Sequence, residues 1–228
     1  MAMTIRKSAM TRLGTALTCL ALVAGCGNDP QNQNTGLDLI QELVANLSSE
    51  PPAPPSPQII SQALAETEGP LELFQREDNQ RWGLMLKLEE NRGYETFGTA
   101  FRQTATMRNG LLTATRGFGG DLMSVDISEV APLISGRKPG QGTRIVRFLG
   151  DEDKTTELRF QCSVTVGQSV AVTSGALDVM ARQVTETCQG DGREITNNYL
   201  VDSNGRSVSA KQWVTPLNGY FLTQTLRQ

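Results

Sequence analysis

The stretch TRGFGGDLMSVD, from Thr115 to Asp126, allows two opposite interpretations, and the choice between them sets the fold class. Its three glycines, Gly117, Gly119 and Gly120, follow a β-like segment. Glycines in such a place can form a phosphate-binding loop at the start of a helix, or a sharp bend between two strands. The first interpretation requires a parallel α/β sheet, and the second is typical of an antiparallel β-protein.

The residues after the glycines do not fit a nucleotide site. A dinucleotide-binding loop opens a helix, and a P-loop continues with Gly-Lys-Ser or Gly-Lys-Thr. Here Asp121 and Leu122 follow, and the sequence up to Val130 contains no capped helix with an apolar stripe. We therefore interpret the stretch as a bend or bulge that Phe118 and Leu122 hold against the core. The pattern leaves open whether Arg116 and Asp121 pair with each other or face a ligand.

Segments with the alternation of β-strands lie on both sides of this bend. The segment RWGLMLKLEE, residues 81–90, predicts a half-buried strand whose apolar side chains share one face. Those apolar side chains are Trp82, Leu84, Leu86 and Leu88. Asn-Gly pairs, which are typical of hairpin turns, occur at 109–110, 204–205 and 218–219.

About ten such segments follow one another from residue 70 onward, and no long helix separates them. Parallel βαβ units are therefore not expected. The predicted fold is mainly all-β: an antiparallel meander curled into an open or partial barrel, with one or two short N-terminal helices.

The first 25 residues have the features of an export signal. Basic residues precede an apolar run from Leu13 to Ala24 that is too short for a permanent membrane span. The run ends in Leu22–Cys26, LVAGC, which resembles a bacterial lipobox. The sequence therefore predicts lipidation at Cys26 and stable anchoring in a membrane. Gly27 follows the cysteine, so the resemblance implies a periplasm-facing lipoprotein of the outer membrane of a Gram-negative bacterium.

The mature chain is predicted to have two parts. Residues 26–57 form a lipid-anchored tether that is polar at first and Pro-rich at its end, with a short amphipathic helix at 37–47 between these parts. Residues 58–228 form the antiparallel β domain. Its first residues, 59–67, are expected to add another helical turn or two.

The amino-acid composition of the chain argues against nucleic-acid binding and against histidine-dependent catalysis. Without residues 1–25 the chain has 18 basic and 24 acidic residues, a formal net charge of −6, and no long basic run. Nucleic acid is therefore not expected as a partner. The chain contains no histidine, which removes Ser-His-Asp and Cys-His catalysis and the commonest zinc ligand. No metal site and no cofactor are predicted. Carboxylate chemistry remains, with Asp121, Asp126 and Glu186 as candidates.

Two cysteines remain once the signal and Cys26 are set aside. Cys162 and Cys188 belong to an exported chain, in which disulfides form and persist. We predict a disulfide between them. In the chain-entropy model a bridge that closes a loop of roughly 27 residues contributes about 3–4 kcal/mol.

The C-terminal segment from Thr185 to Leu226 resembles the closing segment of the YjbF family of capsule and exopolysaccharide lipoproteins. That family shows Glu-x-Cys, Asn-x-Tyr, a Gly-containing hairpin, Ser-x-Gln-Trp-Val and a Pro. The corresponding residues here are Glu186, Cys188, Asn197 or Asn198, Tyr199, Gly205, Ser209, Gln212, Trp213, Val214 and Pro216. The segment NGLLTATRGFGGDL also resembles a family motif. Leu200 departs from the pattern, since the family often has Trp there.

The resemblance implies an antiparallel, barrel-like fold and an exported lipoprotein encoded with capsule or exopolysaccharide assembly genes. The leading hypothesis is a non-enzymatic factor for polysaccharide secretion or assembly that binds glycan or other envelope export proteins. A half-barrel carrier of an apolar lipid ligand and a carboxylate-dependent polysaccharide hydrolase or lyase are the alternatives. The candidate ligand or partner surface consists of Arg116, Asp121, Glu186, Tyr199, Gln212 and Trp213.

Overall fold

Alternation of side chains and glycine-containing turns produce a continuous antiparallel meander. In the computed structural model, the described residues are 55–150 and 154–228. Its elements are α1 (Pro57–Glu66), β1 (Leu71–Arg76), β2 (Trp82–Asn91), β3 (Tyr94–Gly98), β4 (Thr104–Arg108), β5 (Leu111–Arg116), β6 (Leu122–Asp126), α2 (Ala131–Ser135), β7 (Gly140–Leu149), β8 (Thr155–Ser174), β9 (Leu177–Gly190), β10 (Arg193–Asp202), β11 (Ser207–Thr215) and β12 (Gly219–Arg227). The predictions of a signal peptide, of lipidation at Cys26, of a helix at 37–47 and of a Pro-rich tether up to residue 54 concern residues outside the described part of the chain.

The strands form one sheet in the order β5-β4-β3-β2-β1-β12-β11-β10-β9-β8-β7-β6. Every neighbouring pair is consecutive in the chain except β1 and β12, whose antiparallel pairing joins the first and last strands. The two edge strands, β5 and β6, are themselves consecutive and lie against each other. The sheet is therefore a nearly closed, barrel-like meander, and the predicted fold class is confirmed.

The turns follow the chemistry of their residues. Asn109 and Gly110 both have positive φ, of 50° and 77°, as a tight turn between twisted strands requires. Gly110 also allows a close approach, because a Cβ there would lie 2.1 Å from the carbonyl oxygen of Ser207. The N–H of Ser207 donates to the carbonyl of Asn109 at 2.9 Å, so this turn is bonded to the start of β11.

Two features of the sequence interpretation need correction in detail. The strand at 82–91 is present, but Met85, on the face opposite the predicted apolar one, is fully buried, and Leu88 is 62% exposed. The register explains this, because Gly83 and Met85 lie opposite the buried residues Phe74 and Glu72 of β1, so Met85 joins the core cluster. The second described helix, α2, lies between β6 and β7, not at the N-terminus.

The core fills the inside of the curled sheet. Its large side chains are contributed by strands from both halves of the meander and pack together in one cluster. The largest of these include Phe97, Met107, Phe160, Tyr199 and Phe221. A filled interior counts against a carrier with a large apolar cavity. Among residues 55–150 and 154–228, no helix has the length and apolarity needed to cross a bilayer.

Candidate functional site

A buried ionic network lies inside the sheet and is formed by side chains of β7, β9 and β10, with β8 between β7 and β9. The Arg144 guanidinium donates to both carboxylate oxygens of Glu186, at 2.9 and 2.8 Å. The side-chain amide of Asn197 and the hydroxyl of Tyr199 donate to the same carboxylate at 2.9 and 2.8 Å. Glu186 is fully buried and Arg144 is 3% exposed. The Glu186 carboxylate is therefore paired with an opposite charge and hydrogen-bonded on both oxygens, as a buried charge requires.

Electrostatics fix the protonation state of this network. Burial alone would raise the pKa of Glu186, but the Arg144 charge and the hydrogen bonds to the carboxylate hold that pKa below its ordinary value. Burial would lower the pKa of Arg144, and the charge of Glu186 raises it instead. Burial, together with the charge of Glu186, raises the pKa of Tyr199 well above 10. At neutral pH the network is therefore an ion pair with a neutral tyrosine.

The predicted disulfide lies next to this network. Cys162 of β8 and Cys188 of β9 are directly opposite in register, and their sulfurs are bonded. The two cysteines and Glu186 place their ligand atoms within 4.8 Å of one another, a spacing that could hold a metal ion. The sulfurs are used by the disulfide and the carboxylate by Arg144, so this donor set does not fit a cation.

Two further residues of the family signature, Gln212 and Trp213, form hydrogen bonds inside the sheet. The Gln212 side chain accepts from the N–H of Leu112 at 3.0 Å and donates to the carbonyl of Gly110 at 3.2 Å, so it connects β11 to the β5 edge across the interior. The N–H of Trp213 donates to the Asn197 side chain at 2.7 Å. The Trp213 ring contacts Phe160 edge to face at 5.8 Å between centroids.

The glycine stretch joins the two edge strands. The carboxylate of Asp121 accepts from the N–H groups of Gly117 and Phe118 at 2.8 and 3.1 Å. The Thr115 hydroxyl accepts from the N–H of Leu122 at 3.0 Å, and the Arg116 guanidinium donates to the Leu122 carbonyl at 2.9 Å. The side chains of β5 thus bond to the backbone at the start of β6. We call Thr115–Leu122 the seam of the sheet.

The seam is also held against the core, as the sequence predicts. The Phe118 ring lies 5.3 Å from Phe74 and 5.2 Å from Phe221, measured between ring centroids, and Leu122 is buried. The buried side chain of Asn218 donates to the carbonyl oxygens of Gly119 and Gly120 at 2.7 and 3.0 Å. The three glycines of the seam all have positive φ, of 84°, 72° and 60° for Gly117, Gly119 and Gly120.

Replacing Gly119 with valine is expected to lower the free energy of unfolding by about 1–2 kcal/mol. Gly119 has a φ of 72°, and no atom lies within 4 Å of a Cβ placed there. The loss would therefore come from the backbone conformation and not from crowding. Gly119→Asn is the matched control, because asparagine adopts left-handed φ more readily. An unchanged melting temperature and normal polysaccharide secretion for the valine variant would overturn this account of the seam.

The candidate residues are brought together in two separate groups. Glu186 and Tyr199 share one interior network and bond to each other, while Gln212 and Trp213 line the interior beside it. Arg116 and Asp121 lie at the seam, where each bonds to backbone groups of the loop. As a ligand or partner surface, this set stays a prediction. The polar side chains of Arg116, Asp121, Glu186, Tyr199 and Gln212 all form bonds within the fold.

The three candidate carboxylates are each engaged by the scaffold. Glu186 is paired with Arg144, and Asp121 accepts hydrogen bonds from the seam. Asp126 accepts from the N–H of Ser128 at 3.0 Å, and this bond lowers its pKa. A hydrolase or lyase requires two carboxyl groups that face one substrate, one of them able to donate a proton. The contacts of these three residues do not supply that arrangement.

Sequence reasoning missed Arg144 and did not choose between Asn197 and Asn198. The structure buries Asn197 in the network and leaves Asn198 exposed on the outer face. A signal for Arg144 is present in its strand, where it alternates with Val146 and Phe148 on one face. A lone arginine on an otherwise apolar strand face indicates a buried partner of opposite charge.

Comparisons with known proteins give the following matches. A family model described as "Group 4 capsule polysaccharide lipoprotein gfcB, YjbF" matches residues 40–226. The hypothetical lipoprotein YmcC from Escherichia coli (K12) aligns with a TM-score of 0.65 and 12% identity, over 84% of this chain and 94% of that chain. A putative exported protein with a YmcC-like fold from Bacteroides fragilis NCTC 9343 aligns with a TM-score of 0.30 and 11% identity, over 69% and 93%. No curated protein matches. The likeness to YmcC shows a shared fold.

Proposed function

The chain belongs to the YjbF family of group 4 capsule polysaccharide lipoproteins, and on that basis we propose that it assists capsule or exopolysaccharide secretion or assembly without catalysing a reaction. In this role it binds the polysaccharide or other proteins of the export system. The observation that carries the proposal is the family match, which extends over residues 40–226.

The state of the ionisable groups supports a non-enzymatic role. Glu186 and Arg144 neutralise each other in the interior, and Asp121 is committed to the seam. General acid–base catalysis needs a group that reaches the substrate and whose pKa lies near the working pH. Glu186 and Arg144 are buried away from any substrate, and the pKa of Glu186 is held below, and that of Arg144 above, its ordinary value. The chain has no histidine to replace them.

The sequence supports the place of action. The lipobox-like residues LVAGC end in Cys26, and an acylated N-terminal cysteine carries enough hydrocarbon for stable anchoring. The Gly27 that follows favours the outer membrane. The Pro-rich residues after position 50 would hold the β domain away from the membrane surface, on its periplasmic side.

Deletion of the gene is expected to reduce the amount of secreted polysaccharide or to change its length distribution. The deletion strain should recover with the wild-type gene but not with the Cys26→Ser variant, which cannot be lipidated. Secreted polysaccharide is measured by sugar analysis and size-exclusion chromatography, with immunoblots of membrane fractions to verify location. An unchanged amount and length distribution of the secreted polysaccharide after deletion would contradict the proposal. Full recovery with Cys26→Ser would contradict the requirement for anchoring.

A further inference from the structure

The outer face of the sheet has a groove that is separate from the interior network and from the seam. It has a volume of about 470 Å³ and lies on β9, β10, β11, β12 and β1. The register places its side chains opposite the inward-facing ones: Leu73 and Gln224 line the groove, while their chain neighbours Phe74 and Thr225 are buried. Since strands in a sheet are about 4.8 Å apart, five strands make a groove roughly 19 Å long.

Carboxamides and hydroxyls dominate the polar lining of the groove. Gln75, Gln183, Asn198 and Gln224 contribute four carboxamides. No Asp or Glu is among the described residues that line it, although the chain has 24 acidic residues in total. Its one cation, Lys211, is paired with Glu77 and lies 4.8 Å from the centre of the Tyr220 ring. The groove is therefore close to electrically neutral.

Part of this polar lining has no hydrogen-bond partner among the described residues. Gln183, Gln224 and Ser209 make no side-chain hydrogen bond to any residue in the described part of the chain. The interior carboxamides differ, since Asn197 and Gln212 are bonded through both polar atoms. The outer carboxamides thus have donors and acceptors that remain available to a ligand.

The same kind of surface continues along the sheet. A second groove, of about 320 Å³, lies on the outer face of β7, β8 and β9. Its lining residues are Gln141, Gln161, Cys162, Ser163, Thr187 and Gln189. Thr187 is two residues from Thr185 of the first groove, so both side chains lie on one face of β9. A long ligand could follow the outer face across both grooves.

We propose that the groove on β9–β12 and β1 is a binding site for a polysaccharide strand, an inference that rests on the proposed function. Sugar hydroxyls both donate and accept, and so do carboxamides and hydroxyls. Leu73, Leu200 and Leu222 provide apolar contacts for the C–H faces of sugar rings. The absence of lining carboxylates allows neutral and acidic sugars to bind, whereas a nucleic acid would need many more cations.

The test compares groove variants with a matched carboxamide outside the groove. Lipidated full-length chain in detergent micelles is titrated calorimetrically with polysaccharide purified from the culture supernatant of the bacterium that encodes it. The double variant Gln183→Ala/Gln224→Ala should bind the polysaccharide about tenfold or more weakly, because the ligand loses the hydrogen bonds of two side chains. The control Gln58→Ala removes an exposed carboxamide of α1 and should bind like the wild type. Since neither groove glutamine is bonded within the fold, melting temperatures should not differ.

The outcomes separate this inference from the proposed function. Equal affinity of the double variant and the wild type, or no binding by the wild type, would overturn the groove as the binding site. The proposed function would survive either result if gene deletion still reduced secretion. Weaker binding by the double variant alone supports the groove. Weaker secretion in a strain that carries this variant would connect the groove to export.

Discussion

Replacing Glu186 with alanine is expected to lower the free energy of unfolding by about 3–5 kcal/mol. The substitution leaves the Arg144 guanidinium buried without its counter-charge, and it also removes the acceptor of Asn197 and Tyr199. Guanidinium unfolding of the unlipidated Cys26→Ser chain, followed by tryptophan fluorescence, measures the loss. The expected change is a large fraction of the stability of an ordinary domain.

An exposed ion pair of the same sheet region provides the control. Arg147 and Glu157 pair across β7 and β8, and their side chains are 37% and 42% exposed. Glu157→Ala should therefore cost less than about 1 kcal/mol. A Glu186→Ala variant that is as stable as Glu157→Ala would show that the buried network does not hold the fold together.

Removal of the disulfide is expected to have the second largest effect. In the Cys162→Ser/Cys188→Ser variant the denatured chain regains the freedom that a link between residues 26 positions apart had removed. The chain-entropy model puts this loss at about 3.5 kcal/mol. The same unfolding experiment, performed without reductant, measures the difference from the wild type.

The response of stability to a reductant distinguishes the loss of the disulfide from any effect of packing serine in place of cysteine. The wild type should lose stability when a reductant is added, and the double serine variant should not change. Two results would contradict a bridge that stabilises the fold: equal stability of the wild type and the double serine variant without reductant, or an equal response of both proteins to reductant.

The fold class was predictable because it depends on local patterns. Alternating segments and Asn-Gly turns indicate consecutive hairpins wherever they occur, and the structure confirms a meander. The disulfide was also predictable, since export and the small number of cysteines left one pair. The strand at 122–126 was not identified, because it is short and follows directly on the glycines.

The arrangement of the interior was not predictable from spacing. Gln212 bonds to residues about 100 positions earlier, and Arg144 meets Glu186 across 42 positions. Such contacts follow from the curvature of the sheet, which no local pattern encodes. The same limit applies to the seam: the sequence predicts a bend at Gly117–Gly120, but the bonds that Asn218 donates to this bend span 99 and 98 positions.

These placements separate two roles within the chain. The signature residues that carry the family resemblance lie mostly in the interior, where Glu186, Asn197 and Gln212 hold strands to one another. Among the described residues, the groove side chains Gln183, Gln224 and Ser209, which make no side-chain hydrogen bond within the fold, lie on the outer face. We therefore expect variants of the interior to change stability, and variants of the groove to change binding at constant stability.

The central claim is that the chain assists polysaccharide export with its buried ionic network serving only as scaffold. The most direct test is the amount of polysaccharide that a deletion strain secretes when it carries Arg144→Gln/Glu186→Gln. This double variant abolishes both charges and the carboxyl group, while the carboxamide introduced at position 186 can still accept from Asn197 and Tyr199. With the folded variant present at the wild-type level, as verified by immunoblot, we predict wild-type secretion. Loss of secretion at that level would contradict the claim and would indicate that Glu186 or Arg144 acts directly in export.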